Sequence, residues 1–345
     1  MSESCNTRVL LARRPDGEPV DDDFEIDRVP VPEIGQGEIL VRIDWLSIDP
    51  YMRGRMNEGK SYAQPAALGK PMVGEAAGTV TASRSDRYAV GDSVCVQSGW
   101  QSWYKASGDA GSVVRVDSSV SPLSTYLGVL GMPGRTAYFG LLRVGKPQAG
   151  ETVVVSAASG AVGSAVGQIA RIQGCRAVGV AGGEVKCRYV EEELDFDACV
   201  DYKAGHLERD LAAACPDGID VYFENVGGAV LRAVAPLLNP GARVPICGFI
   251  SAYNAADITQ VETPFHVLPA LPDPPEHRFF LVGEWAKENA EANEQLAKWL
   301  RADRLRHRES VTVGIENAPA ALRGVLRGDN FGKQLVQVTT NGEPA

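Results

Sequence analysis

The feature that most constrains the fold is a run of three valines that leads directly into a glycine-containing turn. Residues 153–155 are typical of a buried strand, and Ser-Ala-Ala-Ser-Gly-Ala-Val-Gly follows at 156–163, ahead of an apolar stretch of helical length. Gly160 lets a phosphate approach the backbone, and Gly163 lets the helix pack on the strand. The helix N-terminus offers N–H groups and a positive dipole end. The pattern predicts a pyrophosphate site, although Ala158 replaces the usual first glycine and an ordinary strand-turn-helix is the alternative.

The surrounding pattern is that of a parallel sheet with helices between its strands. From about residue 127 onward, apolar runs rich in β-branched residues alternate with stretches of helical length, as in a doubly wound, Rossmann-type sheet. The predicted strands are 152–156, 176–180, 198–200, 219–223, 243–247 and 278–282. A helix is expected at 285–304 and one more strand at 334–338. Residues 263–275 contain five prolines and are expected to form a long loop that could act as a lid.

The first part of the chain has a different texture. Short apolar alternations broken by Gly, Pro and Asp occur at 39–48, 72–81 and 93–97, which is typical of a small β-barrel. A chain of 345 residues is also longer than a single domain usually is. We therefore expect an α/β protein of two domains, one formed by 1–126 and completed by 305–345, the other formed by 127–304.

The end of the second predicted strand bears on the choice of cofactor. Enzymes that use NAD place an Asp or Glu there, on the adenosine ribose, about twenty residues beyond the glycines. Here the residues at 180–183 are Val-Ala-Gly-Gly, so that carboxylate is missing, and Lys186 is placed to meet a 2′-phosphate. This favours NADPH over NADH. Glu184 argues against it, and a lysine at a helix start is often only a solvated surface residue.

Charge and cysteine usage limit the partners and the compartment. The chain has 34 basic and 44 acidic residues, and this excess of acid opposes binding to nucleic acids and to anionic membrane surfaces. Residues 1–30 contain no long apolar run, so neither a signal peptide nor a transmembrane span is expected. The seven cysteines are odd in number and form no close pairs, which is typical of reduced thiols in a cytoplasmic protein without a metal knuckle.

Six short motifs stand in order along the chain. They are Asp-Pro-Tyr-Met-Arg at 49–53, Gly-Met-Pro-Gly-Arg-Thr-Ala-Tyr at 131–138, Ala-Ala-Ser-Gly-Ala-Val-Gly-Ser at 157–164, Glu-Asn-Val-Gly-Gly at 224–228, Cys-Gly-Phe-Ile-Ser-Ala-Tyr-Asn at 247–254 and Gly-Asp-Asn-Phe-Gly-Lys at 328–333. With them the chain resembles the zinc-free medium-chain dehydrogenases/reductases that include prostaglandin reductase and leukotriene B4 12-hydroxydehydrogenase. Ala-Gly-Gly-Glu-Val-Lys-Cys at 181–187 and Ser-Tyr at 61–62 resemble the bacterial NADPH-dependent curcumin reductases within that family.

The resemblance implies a GroES-like β-barrel catalytic domain, a Rossmann domain, a homodimer and the NADPH-dependent reduction of α,β-unsaturated ketones or aldehydes. It also implies which residues hold the cofactor. Those for the pyrophosphate and the 2′-phosphate are Gly160, Ala161, Val162, Gly163, Lys186 and Tyr202. Those for the remainder are Asn225, Cys247, Gly248, Phe249, Ile250, Ser251, Tyr253, Phe280, Leu281, Val282 and Asn330. Asn330 is equally well explained as a turn residue, because Asp-Asn sequences favour turns.

Zinc-dependent relatives in the family have a Gly-His-Glu phrase and a run of four close cysteines. Here Gly74 stands where the histidine ligand would be, and the four histidines, the first of which is His206, all lie far along the chain from it. The sequence therefore predicts that no metal is bound.

Without zinc, hydrogen-bond donors must stabilise the negative charge that develops on the carbonyl oxygen of an enone when hydride adds to its β-carbon. A tyrosine hydroxyl suits this role because it is normally protonated at neutral pH. Tyr62 and Tyr253 are favoured as donors, and Tyr51 is a third candidate. For all three, an aromatic wall against cofactor or substrate is the alternative. Arg53 and Arg55 could bind a carboxylate on the substrate, or could be solvated or salt-bridged.

Two other functions remain open at this point. The first is one-electron quinone reduction, which related zinc-free reductases perform. The second is a non-catalytic NADPH-binding protein that acts as a redox sensor.

Overall fold

A computed structural model describes residues 5–58, 63–109, 111, 113–255, 257 and 260–338 of the chain. The chain divides into two compact units. The first extends to Leu127 and resumes at Glu309–Asn330 and from Gln334 onward, and the second consists of Gly128–Arg308 and Phe331–Lys333. Among the described residues, none of the helices has both the length and the apolar character needed to span a bilayer.

The secondary structure is mixed. The strands are β1 (Cys5–Leu11), β2 (Phe24–Pro30), β3 (Glu38–Ser47), β4 (Ala76–Ser83), β5 (Ser93–Val96), β6 (Trp103–Ser107), β7 (Val113–Arg115), β8 (Thr152–Ser156), β9 (Arg176–Ala181), β10 (Ala198–Asp201), β11 (Ile219–Phe223), β12 (Leu238–Ile246), β13 (Glu276–Phe279), β14 (Glu309–Val313) and β15 (Lys333–Gln337). The α-helices are α1 (Tyr51–Arg55), α2 (Met132–Phe139), α3 (Gly163–Ile172), α4 (Glu184–Glu192), α5 (Leu207–Ala214), α6 (Gly228–Val234), α7 (Pro264–Val267), α8 (Asn289–Arg301) and α9 (Ala318–Arg327).

The first unit is built on antiparallel strands. Its main sheet has the order β14-β15-β3-β4-β5-β7, with β6 also paired to β3, and β1 and β2 form a separate hairpin-like pair. Ile39, Val41 and Ile43 are buried at every second position of β3, which is the alternation expected of a strand with one face in a core. The strand expected at 334–338 is β15, and it pairs antiparallel with β3. The chain thus returns to the sheet that contains β3.

The second unit contains the predicted parallel sheet. Its six strands have the order β10-β9-β8-β11-β12-β13, and each neighbouring pair is parallel. Counted from β8, this is the order 3-2-1-4-5-6 of a doubly wound dinucleotide-binding fold, whose strand order reverses between β8 and β11. The valines at 153–155 are fully buried in β8, because parallel strands are covered on both faces. The α/β fold class is therefore confirmed.

Two predicted boundaries at the end of the Rossmann sheet were wrong, and the predicted loop before its last strand was wrong in part. The last strand is β13, not 278–282, because the amide of Leu281 donates to the Glu284 side chain at 2.8 Å and a 3₁₀ turn begins at Val282. The helix expected at 285–304 is a 3₁₀ segment with non-helical backbone at Trp285, followed by α8. The proline-rich segment is not wholly irregular, since Pro264 occupies the first turn of α7, where proline is tolerated.

Candidate functional site

The turn between β8 and α3 has the tight geometry that its sequence predicts. The amide of Gly160 donates to the carbonyl of Ala157 at 2.9 Å, and Ala157 itself has a left-handed backbone with φ of 53°. A Cβ atom at Gly163 would lie 2.3 Å from the Ala157 carbonyl oxygen, so only glycine fits there. At Gly160 the corresponding distance is 3.1 Å, which leaves little room for a side chain.

This turn also contains backbone N–H groups that can bind an anion. The amides of Ala161 and Val162 donate no hydrogen bond to any other residue that the structure describes, and the first bonds of the following helix come from Ser164 and Val166. Gly160, Ala161 and Val162 are partly exposed. Amides at a helix N-terminus, next to glycines without side chains, fit a phosphate group. The residues present therefore suit the pyrophosphate of a dinucleotide at the point where the strand order reverses.

Lys186 and Tyr202 follow the carboxyl ends of two neighbouring strands, β9 and β10. The amide of Gly183, just before α4, donates to the Asp201 carboxylate at the end of β10 at 2.7 Å. A Cβ atom at Gly182 would lie 2.8 Å from the Tyr202 ring, so that tyrosine packs directly on the turn that precedes Lys186. Tyr202 therefore lies beside the turn from β9 to α4, the helix that contains Lys186. Glu184, which argued against the 2′-phosphate assignment, is exposed and pairs with Arg188 at 2.6 Å.

Two further residues of this region escaped the sequence analysis. The guanidinium of Arg308 lies 4.3 Å from the ring centroid of Phe331, and the Lys186 Nζ lies 5.6 Å from the same centroid. Gly332 allows the two backbone segments to approach each other, because a Cβ atom there would lie 1.9 Å from the Arg308 carbonyl oxygen. Arg308 and Phe331 are more than 120 residues from Lys186 in sequence, so no local pattern joins them.

The loops that follow β11 and β12 lie side by side at the same end of the sheet. The amides of Cys247, Ile250 and Ser251 donate at 2.9, 3.1 and 3.0 Å to the carbonyls of Glu224, Asn225 and Val226 in turn. The Asn225 side chain donates to the Ser156 carbonyl at 2.8 Å. The structure thus brings Asn225 and the 247–253 loop next to the end of β8, where the sequence placed the remainder of the cofactor site.

Within the second loop, Tyr253 packs against the backbone. A Cβ atom at Gly248 would lie 2.7 Å from the Tyr253 hydroxyl, and the Tyr253 ring makes an edge contact with Phe249 at 5.7 Å. Desolvation, with the nearby Glu224 carboxyl, raises the pKa of Cys247 to about 12. Cys247 is therefore a protonated thiol at neutral pH and not a nucleophile.

The other predicted cofactor residues are more scattered. The Phe280 side chain is buried, with its ring 6.0 Å from that of Phe223, whereas Leu281 is exposed. Asn330 belongs to the first unit and directly precedes Phe331.

The first unit has a cavity of its own, with a volume of about 360 Å³. It is lined by Tyr51, Arg55, Pro71, Val73, Gly74, Gln97, Ser98, Gly99 and Gln101. Arg55 is held by a bond from its Nε to the Gln64 carbonyl at 2.5 Å. Arg53 is buried instead and donates to Gly17 and Asn57, so it is a structural residue. Tyr62, one of the two favoured donors, lies outside the described residues.

The position of the missing zinc ligand is filled by apolar side chains. A Cβ atom at Gly74 would lie 3.0 Å from the Met52 Cε and 3.1 Å from the Trp100 indole. A histidine side chain has no space there. Within the part of the chain that the structure describes, no group of three or more His, Cys, Asp or Glu side chains could hold a metal ion.

Comparisons with known proteins agree with this arrangement. Residues 7–116 match the family described as the N-terminal domain of oxidoreductase, and residues 161–267 match the family described as zinc-binding dehydrogenase. The chain is 46% identical over 333 residues to a putative NADP-dependent oxidoreductase, YfmJ, of Bacillus subtilis, with 96% of this chain and 97% of the relative covered. It is 44% identical over 336 residues to the NADPH-dependent curcumin reductase of Escherichia coli, with the same coverage.

A plant relative and a solved structure extend the comparison. The NADP-dependent 2-alkenal reductase of Nicotiana tabacum is 39% identical over 347 residues, with 98% of each chain covered. The crystal structure of CurA from Vibrio vulnificus in complex with NADPH is 43% identical, with a TM-score of 0.91 over 97% of this chain and 99% of that one. The chain belongs to the medium-chain dehydrogenase/reductase family, among its NADP-dependent oxidoreductases.

Proposed function

We propose that this protein is an NADPH-dependent, zinc-independent reductase of the carbon–carbon double bond of α,β-unsaturated ketones and aldehydes. The observation that carries the proposal is the glycine turn at 160–163, in which the amides of Ala161 and Val162 donate to none of the described residues and lie at the carboxyl end of β8, beside the reversal of strand order. The relatives named for curcumin and 2-alkenal reduction support the substrate class, because both names denote conjugated carbonyl compounds.

Each part of the cofactor is assigned to particular residues of the chain. The amides of Ala161 and Val162 hold the pyrophosphate, and Lys186 and Tyr202 hold the 2′-phosphate. Residues of 247–253 and 280–282, with Asn225 and Asn330, line the nicotinamide half. We assign residues 127–304 as the cofactor domain, and residues 1–126 with 305–345 as the catalytic domain.

When bound, NADPH supplies a hydride for the β-carbon of the enone. The protein has to stabilise the negative charge that then develops on the carbonyl oxygen, and one well-placed donor contributes roughly a hundredfold in rate. The hydroxyl of Tyr253, held against Gly248, is one such donor. Tyr62 and Tyr51 are the others, and Tyr51 lines the cavity of the first unit, which we assign to the substrate.

The surroundings of Gly74 support independence from zinc. The Met52 and Trp100 side chains occupy the space that a ligand at this position would need. Hydrogen bonds from the protein then replace a metal as the source of stabilisation for the carbonyl oxygen.

The test is a steady-state assay of NADPH oxidation with curcumin, 2-alkenals and simple enones, with the product identified by mass spectrometry. A product saturated at the double bond supports the proposal. NADPH binding without turnover over the whole panel would favour a redox sensor. Semiquinone radicals detected by spin resonance with quinone acceptors, without any saturated product, would favour quinone reduction.

We further place the protein in the cytoplasm, as a homodimer that binds neither nucleic acid nor membranes. The described cysteines are all free, as in reducing compartments. Light scattering of the purified protein tests the assembly, and a monomer at all concentrations would exclude the dimer.

A further inference from the structure

Glu224 is a buried acid to which the proposed function gives no role. It follows β11 directly, opens the loop that contains Asn225, and has no exposed surface. One of its oxygens, Oε1, accepts four hydrogen bonds. The donors are the amides of Val226 and Gly227 at 2.7 and 2.9 Å, the Tyr222 hydroxyl at 3.0 Å and the Ser156 hydroxyl at 3.1 Å.

The other oxygen, Oε2, is buried and has no hydrogen-bond partner within the described residues. Burial raises the pKa of Glu224, and the four bonds to its Oε1 oppose this only in part. The titratable groups that face it are Tyr222 and Cys247, and burial raises the pKa of both, so neither is charged at neutral pH. An ionised carboxylate without a cation is costly in such surroundings. Burial therefore favours the neutral form of the carboxyl group, and Oε1 is the oxygen that accepts the four hydrogen bonds.

The bonds to Oε1 shape two loops at once. They hold the amides of Val226 and Gly227 in a turn where Gly227 has φ of 74°. The carbonyls of the same loop then accept the amides of the 247–253 loop. The Ser156 hydroxyl also accepts the amide of Asn225 at 2.8 Å, so the end of β8 joins the same network.

We infer that Glu224 is a positioning residue, whose carboxyl group holds the loops after β11 and β12 in the shape that presents Asn225 and Tyr253 to the nicotinamide half of the cofactor. This inference rests on the proposed function for the identity of the cofactor. The shape of the side chain and one acceptor oxygen are what matter, and a negative charge is not required.

The first test compares Glu224→Gln with Glu224→Asp in the full-length protein. Gln retains the length and one acceptor oxygen, so kcat and KM should stay within about threefold of the wild type. Asp is shorter by one methylene and cannot reach both amides, and a misplacement of about 1 Å costs on the order of a hundredfold. We expect Glu224→Asp to lower kcat tenfold to a hundredfold. Glu294→Gln, an exposed acid on α8, is the matched control.

A second readout does not depend on turnover. Calorimetry compares NADP⁺ with 2′,5′-ADP, which lacks the nicotinamide half. Glu224→Asp should weaken NADP⁺ binding about tenfold and leave 2′,5′-ADP binding within twofold, since Lys186 and the turn at 160–163 are untouched. If Glu224→Asp does not fold, Ser156→Ala serves in its place, because it removes the hydroxyl between Glu224 and Asn225. Ser156→Ala should weaken NADP⁺ binding by less than tenfold and leave 2′,5′-ADP binding within twofold.

The outcomes separate the possibilities. Loss of activity in Glu224→Gln with activity kept in Glu224→Asp would show that an acidic proton is needed, and would overturn the inference. Loss of thermal stability in Glu224→Asp with unchanged kcat and NADP⁺ affinity would show a purely structural role and overturn it as well. A wild-type protein that binds 2′,5′-ADP but reduces no enone would refute the proposed function instead.

Discussion

At the residue scale, the setting of Lys186 decides how the proposed cofactor is selected. Its ammonium group lies over the Phe331 ring, and Tyr202 packs on the turn at Gly182 that precedes Lys186. A charge-assisted bond to the 2′-phosphate contributes about 1.5–3 kcal/mol. Lys186→Ala should therefore weaken NADPH binding about tenfold to a hundredfold and leave NADH binding unchanged. Calorimetry with both cofactors measures this, and an equal loss for both would show that Lys186 does not recognise the phosphate.

Arg308 is expected to assist Lys186, because its guanidinium packs on the same ring. Arg308→Gln should weaken NADPH binding about threefold to tenfold with little effect on NADH, and Arg304→Gln, four residues earlier, serves as the control. The double variant with Lys186→Ala tests whether the two cations act on one group. Non-additive losses of NADPH binding energy would mean that both cations act on one group. Strictly additive losses would mean that Arg308 acts independently of Lys186.

The sequence indicated some of these residues and not others, for a physical reason. Gly163 and Lys186 belong to short patterns in which a strand end, a turn and a helix start are neighbours along the chain. Arg308 and Phe331 reach Lys186 only through tertiary folding. Glu224 was visible within a motif, but its burial and its bond from Ser156, 68 residues earlier, depend on tertiary folding and have no local signature.

At the element scale, the turn from β8 to α3 depends on the close approach of two backbone segments. Because a Cβ atom at Gly163 would meet the Ala157 carbonyl, Gly163→Ala must open the turn and displace the amides of Ala161 and Val162. Overpacking of this kind costs about 1–3 kcal/mol. We expect that loss in the free energy of unfolding, and a loss of NADPH affinity of more than tenfold.

A matched glycine distinguishes the turn from a general effect of alanine. Gly283 has no heavy atom within 4 Å of its added Cβ position, so Gly283→Ala should change stability by less than about 0.5 kcal/mol and leave NADPH binding unchanged. Chemical denaturation and cofactor titration measure both variants. Unchanged cofactor affinity in Gly163→Ala would contradict the assignment of the turn to the pyrophosphate.

Strand prediction succeeded where burial alone determines the pattern. The bounds of β8 and β11 were predicted without error, because continuous apolar runs end at turn residues there. The strand β12 begins at Leu238, five residues before the predicted start, and its pairing with β11 shifts register after Ile219. Its first residues include Asn239 and Pro240, which individually disfavour strands, so the pairing partner and not the local sequence determines that end.

At the scale of the whole molecule, the two units were visible in the sequence as a change from short alternations to continuous apolar runs. A late alternating strand that completes the first domain was also predicted, and β15 pairs with β3 of the main sheet in the first unit. The cavity of the first unit was not predictable, because its lining comes from three separate stretches of chain around Tyr51, Val73 and Gln97. Proximity between such stretches is a property of the folded unit.

The stability of the folded protein should respond to pH through Glu224. Burial raises its pKa in the folded state above the value of about 4.3 that an unfolded chain would have. The neutral form therefore contributes stability that is fully present below the unfolded value and is lost as pH rises through the folded value. Tyr222 and Cys247, which face the carboxyl group, have raised pKa values and do not titrate over that interval.

Glu224→Gln isolates this contribution, because the amide cannot ionise and preserves the bonds to Val226 and Gly227. The melting temperature of the wild type, measured relative to that of Glu224→Gln, should fall as pH is raised above the unfolded pKa of about 4.3, at a cost of about 1.4 kcal/mol per pH unit, and should level off once the pH passes the folded pKa. A difference that does not change with pH would mean that burial does not raise the pKa of Glu224 in the folded protein. A difference that grows in favour of the wild type would mean that the amides of the loop stabilise a carboxylate.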